Sequence, residues 1–175
     1  MEINFQKLPL RDGVGIVVLN SKNEVLVAKR IDNPKNFWQM PQGGKDEGEN
    51  YFEAAIRELK EETSITSVTL IKEINDFITY LLPKRLLGII WKGKFKGQKQ
   101  KWFIMKFNGS DEEININTAK PEFLEWKWIN IDQLPFVIVD FKKHIYSKLV
   151  NELKFYDEER KIYWYPSVVN MGQRE

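Results

Sequence analysis

Two hydrophobic rhythms run along the chain, one of period two in short stretches and one of period 3.6 in two longer ones. From Gly13 to Asn20, "GVGIVVLN", a β-branched run ends at the polar "NSKN", after which "EVLVAKR" alternates apolar and polar residues. Successive strand side chains point to opposite faces, so the pair reads as a β-hairpin. "IDNPKN" is a loop with a proline, and "FWQMPQGG" is a short extended piece closed by Pro41 and the Gly43, Gly44 pair. Phe52, Ala55, Ile56 and Leu59 then fall at i, i+3, i+4 and i+7, one apolar stripe of a helix spanning about Glu49 to Thr63. Further strands are predicted at about Val68–Glu73, Phe77–Leu82, Leu86–Trp91 and Trp102–Phe107, with the basic "KGKFKGQKQK" as a connection. After "PEFLEWKWI", "DQLPF" reads as a turn. A second amphipathic helix, about Asp140 to Lys154, carries Ile145, Leu149, Val150 and Leu153 on one face. Trp38, Trp102, Trp126 and Trp128 sit in strand-like runs and are assigned mostly to the core. Many strands with one central and one late helix predict an α/β sandwich around a mixed sheet.

Composition narrows the chemistry. With 175 residues, 42% of them hydrophobic, the chain supports one sizeable core, placed over residues 1–155, and a polar tail over 156–175 that is expected to be partly disordered. Lys and Arg total 27 against 25 Asp and Glu, so bulk charge neither requires nor excludes a polyanionic partner. Cysteine is absent, which removes disulfides and thiolate metal sites and leaves oxygen ligands or the single histidine, His144. A hard cation such as magnesium suits that set. The N-terminus lacks a basic region followed by a long apolar run, and no window approaches a membrane span; the expectation is a soluble, intracellular protein without a membrane partner.

Local charge is less even. The stretch "GGKDEGENYFEAAIRELKEETSI" crowds carboxylates onto the first helix. At 100° per residue, Glu58, Glu61 and Glu62 fall within an arc of about 100°. Like charges at these spacings cost an isolated helix about 0.2–0.5 kcal/mol per pair. A divalent cation would offset that repulsion; the competing reading is a solvated acidic face. The glycines before the helix allow close backbone approach, and Arg57 is placed to hold a carboxylate.

Gly43, Glu49, Arg57, Glu58, Leu59, Glu61, Glu62 and Ile65 together resemble the Nudix box, G-x5-E-x7-R-E-U-x-E-E-x-G-U with U aliphatic. All five charged positions match. Ser64 stands where the family usually has glycine, at a turn where a left-handed backbone is expected. Over roughly residues 11–150, "WQMPQGG", "LPKRLLG", "GQKQKWF" and "PEFLEWKW" resemble the subgroup of bacterial RNA pyrophosphohydrolases and asymmetric dinucleoside-tetraphosphate hydrolases.

That resemblance implies a Nudix-type α/β/α sandwich and hydrolysis of a phosphoanhydride. It implies metal ligation by Glu58, Glu61 and Glu62 with a carbonyl of Gly43 or Gly44, using magnesium with manganese as a substitute. One helix carboxylate doubles as general base, and Glu122, in "KPEFLEW", resembles the family's additional acidic residue near the metals; the competing reading of Glu122 is a surface-loop glutamate. Arg57 is expected to orient Glu58 and Glu49, while Glu47 and Glu53 match no required position and are expected to be solvated. Arg11 and Arg30 match positions that meet the triphosphate and leading nucleotides. Tyr80, Lys84, Arg85, Lys99 and Lys101 form a basic, aromatic-interleaved set suited to a phosphate chain. Phe141 and Lys142 resemble a pair that stacks on and contacts a base, although a phenylalanine there also fits a core role. His144 reads as a surface or internally satisfied histidine.

Three functions compete at this level: an RNA pyrophosphohydrolase acting on 5′-triphosphorylated or diphosphorylated RNA, which is favoured; a dinucleoside polyphosphate hydrolase; and a non-catalytic nucleotide-binding module. The last would be marked by a lost box carboxylate, and none is lost. The implied setting is cytoplasmic, with RNA or a dinucleoside polyphosphate as partner and no DNA.

Overall fold

Two parallel strands, β1 (Leu10–Leu19) and β6 (Gly97–Phe107), form the centre of the sheet in a continuous register from Leu10 opposite Gly97 to Leu19 opposite Lys106. The structure, a computed structural model, describes residues 4–33 and 35–155; the expected tail over 156–175 lies outside the described residues. The other strands are β2 (Val25–Arg30), β3 (Gln42–Gly44), β4 (Val68–Glu73), β5 (Ile78–Leu81) and β7 (Phe123–Ile129). The order is β4-β6-β1-β2-β7, with β3 added to β1 and β5 to β6, all antiparallel except the central pair. This is the expected mixed sheet. The expected hairpin is present, but β1 and β2 pair only at Leu19 and Val25, because β3 takes the edge of β1 from Gly13 to Gly15.

Helices cover both faces. Val14, Ile16, Val18, Phe103 and Met105 pack against Ala54, Ala55 and Leu59 of α1 (Tyr51–Thr63). Val17, Leu19, Trp102 and Ile104, on the opposite face, pack with Ile145, Tyr146, Leu149 and Leu153 of α3 (Lys143–Phe155). Strand alternation thus splits the hydrophobic residues into two cores. Gly15 makes room for one of them, since a Cβ there would enter the Trp102 indole. Fully burying a side chain such as Leu59 contributes about 1.5–3 kcal/mol. No helix among the described residues is long and apolar enough to cross a membrane.

Four expectations need correction. Residues 86–91 are not a strand: short 3-10 turns at Lys84–Leu86 and Ile90–Gly93 replace it, with left-handed backbone at Gly88, Trp91, Lys92 and Gly93, which no strand accommodates. The basic connection is half strand. β6 begins at Gly97 because Gly97 to Gln100 pair with both β1 and β5, and the ladder overrides the charge. "DQLPF" is a 3-10 turn leading into a short helix, α2 (Leu134–Val137). Finally, the stripe of α1 is rotated: Ala54, Ala55, Leu59, Glu62 and Thr63 are buried while Phe52 is 40% exposed, its ring edge-on to Phe103. Two adjacent alanines let the helix lie close on the sheet and turn Glu62 inward. Trp38 and Trp102 are buried, whereas Trp126 and Trp128 are only partly so.

Candidate active site

α1 presents its carboxylates in a graded series. Asn50 caps the helix: its side chain accepts from the Glu53 N–H at 2.9 Å, and Glu53 accepts from the Asn50 N–H at 3.0 Å. Glu53, expected to be merely solvated, therefore completes a capping box. Glu47 is exposed as expected. Three turns of helix then deliver Glu58, Glu61 and Glu62 to different depths. The Glu61 side chain is 60% exposed and that of Glu58 14%, while Glu62 is 4% exposed as a residue. Burial pushes the Glu62 carboxyl well above the usual range, with Glu122 and Glu58 adding repulsion and one N–H, from Gln42 at 3.1 Å, opposing it. Burial also raises Glu58, against the pull of Arg57.

Arg57 is the hub of the acidic cluster. It donates to both carboxylate oxygens of Glu49 at 2.7 and 3.0 Å, to Glu58 at 3.0 Å, to Glu61 at 3.4 Å and to the Gly44 carbonyl at 2.8 Å. Its hydrogen bonds hold the Glu49 carboxyl down at about 2, and its own pKa is raised in turn. Glu49 and Glu58, the two carboxylates that Arg57 was expected to orient, are thus both within its reach.

β3 lies against these carboxylates. A Cβ at Gly43 would collide with the Glu58 carboxyl, so the missing side chain lets Glu58 lie on the backbone. Beneath it runs a chain of amides that the sequence reading passed over. The Gln98 side chain donates to the Gly43 carbonyl at 3.2 Å and accepts from the Tyr80 hydroxyl at 3.0 Å. Gln100 donates to Gln42 and Gln98, and the Trp102 indole donates to Gln100. The signal was the period-two pattern of "GQKQKW", in which Gln98, Gln100 and Trp102 fall on one face.

Of the three helix glutamates, Glu58 lines a cavity of about 530 Å³, whereas Glu61 and Glu62 are not part of its lining. Arg11, Arg30, Gly43, Gly44, Glu58, Tyr80, Arg85, Glu122, Phe141 and Lys142 all line it. Arg30 forks onto Asp32 at 2.7 Å through two nitrogens and reaches Glu122 at 3.5 Å. Asp32 was not anticipated; its hydrogen bonds with Arg30 lower its own pKa and raise that of Arg30. The Phe141 ring is partly buried with its centroid 5.8 Å from that of Tyr80. The Lys142 ammonium lies 4.7 Å from the Tyr80 ring, and burial with Arg30 nearby pulls its pKa down to about 7. Gln39 also lines the cavity, and its buried side-chain nitrogen has no partner among the described residues.

Three expected substrate residues do not line the cavity. Lys84 is exposed outside it. Lys99 and Lys101 alternate with the glutamines and so emerge on the α1 face. Lys99 pairs with Asp12 at 3.3 Å, and Lys101, nearly buried, pairs with Glu73 at 3.1 Å and donates to the Asn75 carbonyl. Both lie over the Phe77 ring. His144 is satisfied internally, its Nε2 lying 2.8 Å from the Thr79 carbonyl.

Comparison with known proteins agrees with this arrangement. A family model described as the NUDIX domain matches residues 9–149. The chain is 62% identical over 154 residues to an RNA pyrophosphohydrolase of Pelagibacter ubique, covering 88% of this chain and 98% of that protein. It is 45% identical over 153 residues to an RNA pyrophosphohydrolase of Orientia tsutsugamushi, covering 87% and 95%. Among solved structures, an Escherichia coli dihydroneopterin triphosphate pyrophosphohydrolase shares the fold with a TM-score of 0.62 at 23% identity, covering 83% and 99%. A Caenorhabditis elegans Ap4A hydrolase does so with a TM-score of 0.59 at 22% identity, covering 82% and 99%. With its box carboxylates gathered by Arg57 and the family match spanning the whole sheet, α1, α2 and the first half of α3, the chain belongs to the Nudix family.

Proposed function

We propose that the protein is an RNA pyrophosphohydrolase, removing pyrophosphate or phosphate from the 5′ end of triphosphorylated or diphosphorylated RNA in the cytoplasm. The observation that carries this reading is one cavity lined both by Glu58 and by the cations Arg11, Arg30, Arg85 and Lys142, with Glu62 buried close enough to Glu58 and Glu122 for both to raise its pKa. The basic wall suits a phosphate chain and the acidic edge suits a cation. The curated relatives named above support RNA as the substrate.

Nudix hydrolases generally use divalent metal ions. Among the described residues no three acidic or histidine side chains stand close enough to cage an ion unaided. The donor chemistry nevertheless fits magnesium: Glu58, Glu61, Glu62 and the Gly43 carbonyl are all hard oxygen ligands, and burial makes ionised Glu58 and Glu62 costly without a cation. Substrate phosphate oxygens and water would complete such a shell. When bound, the metal neutralises phosphate charge and lowers the pKa of a coordinated water.

The chain's own residues do the rest. Arg57 keeps Glu49 and Glu58 in register, and the Gln98 amide steadies the Gly43 peptide. Arg11 and Lys142 receive phosphate charge, and Phe141 receives a base. A carboxyl whose proton affinity is raised by burial, as in Glu58 and Glu62, suits the acceptance of a proton from the attacking water; Glu122, close enough to repel Glu62, shares that region. The second reading is cleavage of dinucleoside polyphosphates, which uses the same anhydride and carboxylates. Turnover of triphosphorylated RNA and of diadenosine tetraphosphate, measured side by side with magnesium, tests the assignment. RNA is expected to have the higher kcat/KM, and the reverse order would overturn it.

A further inference from the structure

The cavity has an aromatic surface distinct from the Tyr80, Phe141 pair. Trp91 lies in the segment between β5 and β6, which the sequence suggested would be a strand, and it lines the cavity together with Arg11. Its backbone is left-handed, with φ 52° and ψ 35°, and that of Lys92 follows at φ 57° and ψ 29°. Left-handed backbone is disfavoured for any residue with a Cβ, and two such residues in succession more so. Such conformations persist where the surroundings over-determine them and cluster at ligand clamps. Here the conformation sets the indole at the cavity, braced edge-on against Phe95 at 6.1 Å.

The guanidinium of Arg11 lies 5.4 Å from the centre of that indole. It is a planar group resting on a planar ring. Among the described residues Arg11 has no carboxylate partner, in contrast to Arg30 and Arg57. It also reaches across to Gly44, where a Cβ would collide with it, so it stands between the indole and the strand that borders the carboxylates. Arg11, Gln98 and Tyr80 occupy facing positions on three adjacent strands, β1, β6 and β5. At about 4.8 Å per strand, the Arg11 and Tyr80 backbones are roughly 10 Å apart. That spacing separates two planar groups without stacking them on each other.

We propose that Trp91 is a stacking platform for a second nucleobase of the bound substrate, and that Arg11 vacates the indole to meet the phosphate chain when the base arrives. The inference rests on the reading of the cavity as a site for phosphorylated nucleotides. It assigns Trp91 and the Tyr80, Phe141 pair to two different bases. Stacking of this kind is sequence-tolerant, because every base has a π-face.

The test separates base from phosphate. Trp91→Leu is expected to raise KM for a 5′-triphosphorylated RNA trinucleotide by about 5-fold or more, with kcat changed only a few-fold, while Trp91→Phe retains most of the affinity. Inhibition by inorganic triphosphate, which has no base, is expected to be unchanged in Trp91→Leu. Thermal melting of each variant establishes that it is folded. An unchanged KM in folded Trp91→Leu would overturn the proposal, as would equal weakening of RNA and inorganic triphosphate, which would mean that the indole serves only to place Arg11. If wild-type protein leaves RNA intact, the RNA reading fails by itself. The stacking proposal is then read from competitive binding of a nucleoside triphosphate against inorganic triphosphate in the same variants, where equal retention of both would overturn it.

Discussion

Arg57 grips Glu49 by both carboxylate oxygens, at 2.7 and 3.0 Å, and holds Glu58 with its remaining nitrogen at 3.0 Å. One planar side chain thus ties the loop before α1 to a part-buried carboxylate on the helix. A lysine supplies the charge but not the fork. Arg57→Lys is expected to lower activity by about 10–100-fold, the range typical when a residue orienting a metal ligand is lost. The loss should be accompanied by a higher magnesium requirement. Magnesium titration of turnover checks this, and a variant with a normal magnesium midpoint and normal kcat would remove Arg57 from that orienting role.

Glu62 makes the metal question measurable without turnover. Its folded pKa lies well above its ordinary value of 4.5, so the native state holds the proton more tightly than the unfolded chain. Stability of the metal-free protein is therefore expected to fall as pH rises from about 4.5 through the raised pKa. Magnesium should reverse that fall above pH 7, and Glu62→Gln should make it shallower, leaving the part due to Glu58, while lowering turnover by at least ~100-fold. Thermal melting against pH, with and without magnesium, reads the effect. A metal-free melting curve as steep in Glu62→Gln as in wild type would assign the pH dependence to another group.

The fold was largely legible because its two cores obey simple periods. Alternation in "GVGIVVLN" placed β1, and the spacing of Ile145, Leu149 and Leu153 placed α3. The box positions named the members of the acidic cluster and paired Arg57 with Glu49 and Glu58, but not its further bonds to Glu61 and the Gly44 carbonyl. What period and charge could not show was context. "KGKFKGQKQK" looks like a solvated basic loop until two neighbouring strands claim its second half, sending Gln98 and Gln100 to the site and Lys99 and Lys101 to the other face. "LLGIIW" has the composition of a strand, and only left-handed backbone at Gly88 and Trp91 makes it a wall of the cavity. The depth of Glu62 was hidden for a similar reason, since Ala54 and Ala55 rotate the helix by packing rather than by hydrophobicity.

Lys142 titrates in the opposite sense to Glu62. Burial pulls its folded pKa from 10.5 down to about 7, so above pH 7 the unfolded chain binds the proton that the native state has released. Stability is expected to rise with pH from about 7 towards 9.5, below the range in which tyrosine ionisation matters. The groups facing this ammonium are Arg30, which opposes its charge, and Glu62 and Asp32, which favour it. Lys142→Met should flatten the rise and be more stable than wild type near pH 6, where the buried lysine is charged. Denaturant midpoints at pH 6, 7.5 and 9 provide the check. Wild type and Lys142→Met midpoints that keep a constant difference across that range would mean that Lys142 keeps an ordinary pKa.

Ser64 departs from the box pattern and sits where the pattern expects a left-handed residue, with φ 65° and ψ 3°. Its hydroxyl donates to the Asn115 carbonyl at 2.8 Å, and the Asn115 N–H in turn bonds the Thr63 carbonyl at 2.9 Å, so the helix end is stapled to the segment before β7. Three terms then compete in Ser64→Gly. Relief of left-handed strain contributes about 1 kcal/mol, loss of an exposed hydrogen bond costs about 0.5 kcal/mol, and added freedom of the unfolded chain costs about 0.4–1 kcal/mol. The glycine variant is expected to melt within about 2 °C of wild type. Ser64→Ala loses the hydrogen bond and keeps the strain, so it should fall slightly below both. Ser64→Val adds a β-branched side chain to a left-handed backbone and should fall by roughly 2 kcal/mol, or about 4–8 °C. Because residue 64 carries no carboxylate, turnover of the glycine and alanine variants should stay within a few-fold of wild type. The order serine and glycine, then alanine, then valine is the test. A valine variant as stable as alanine would mean that this backbone is right-handed in solution, and a glycine variant several degrees above wild type would mean that the bond to Asn115 contributes nothing.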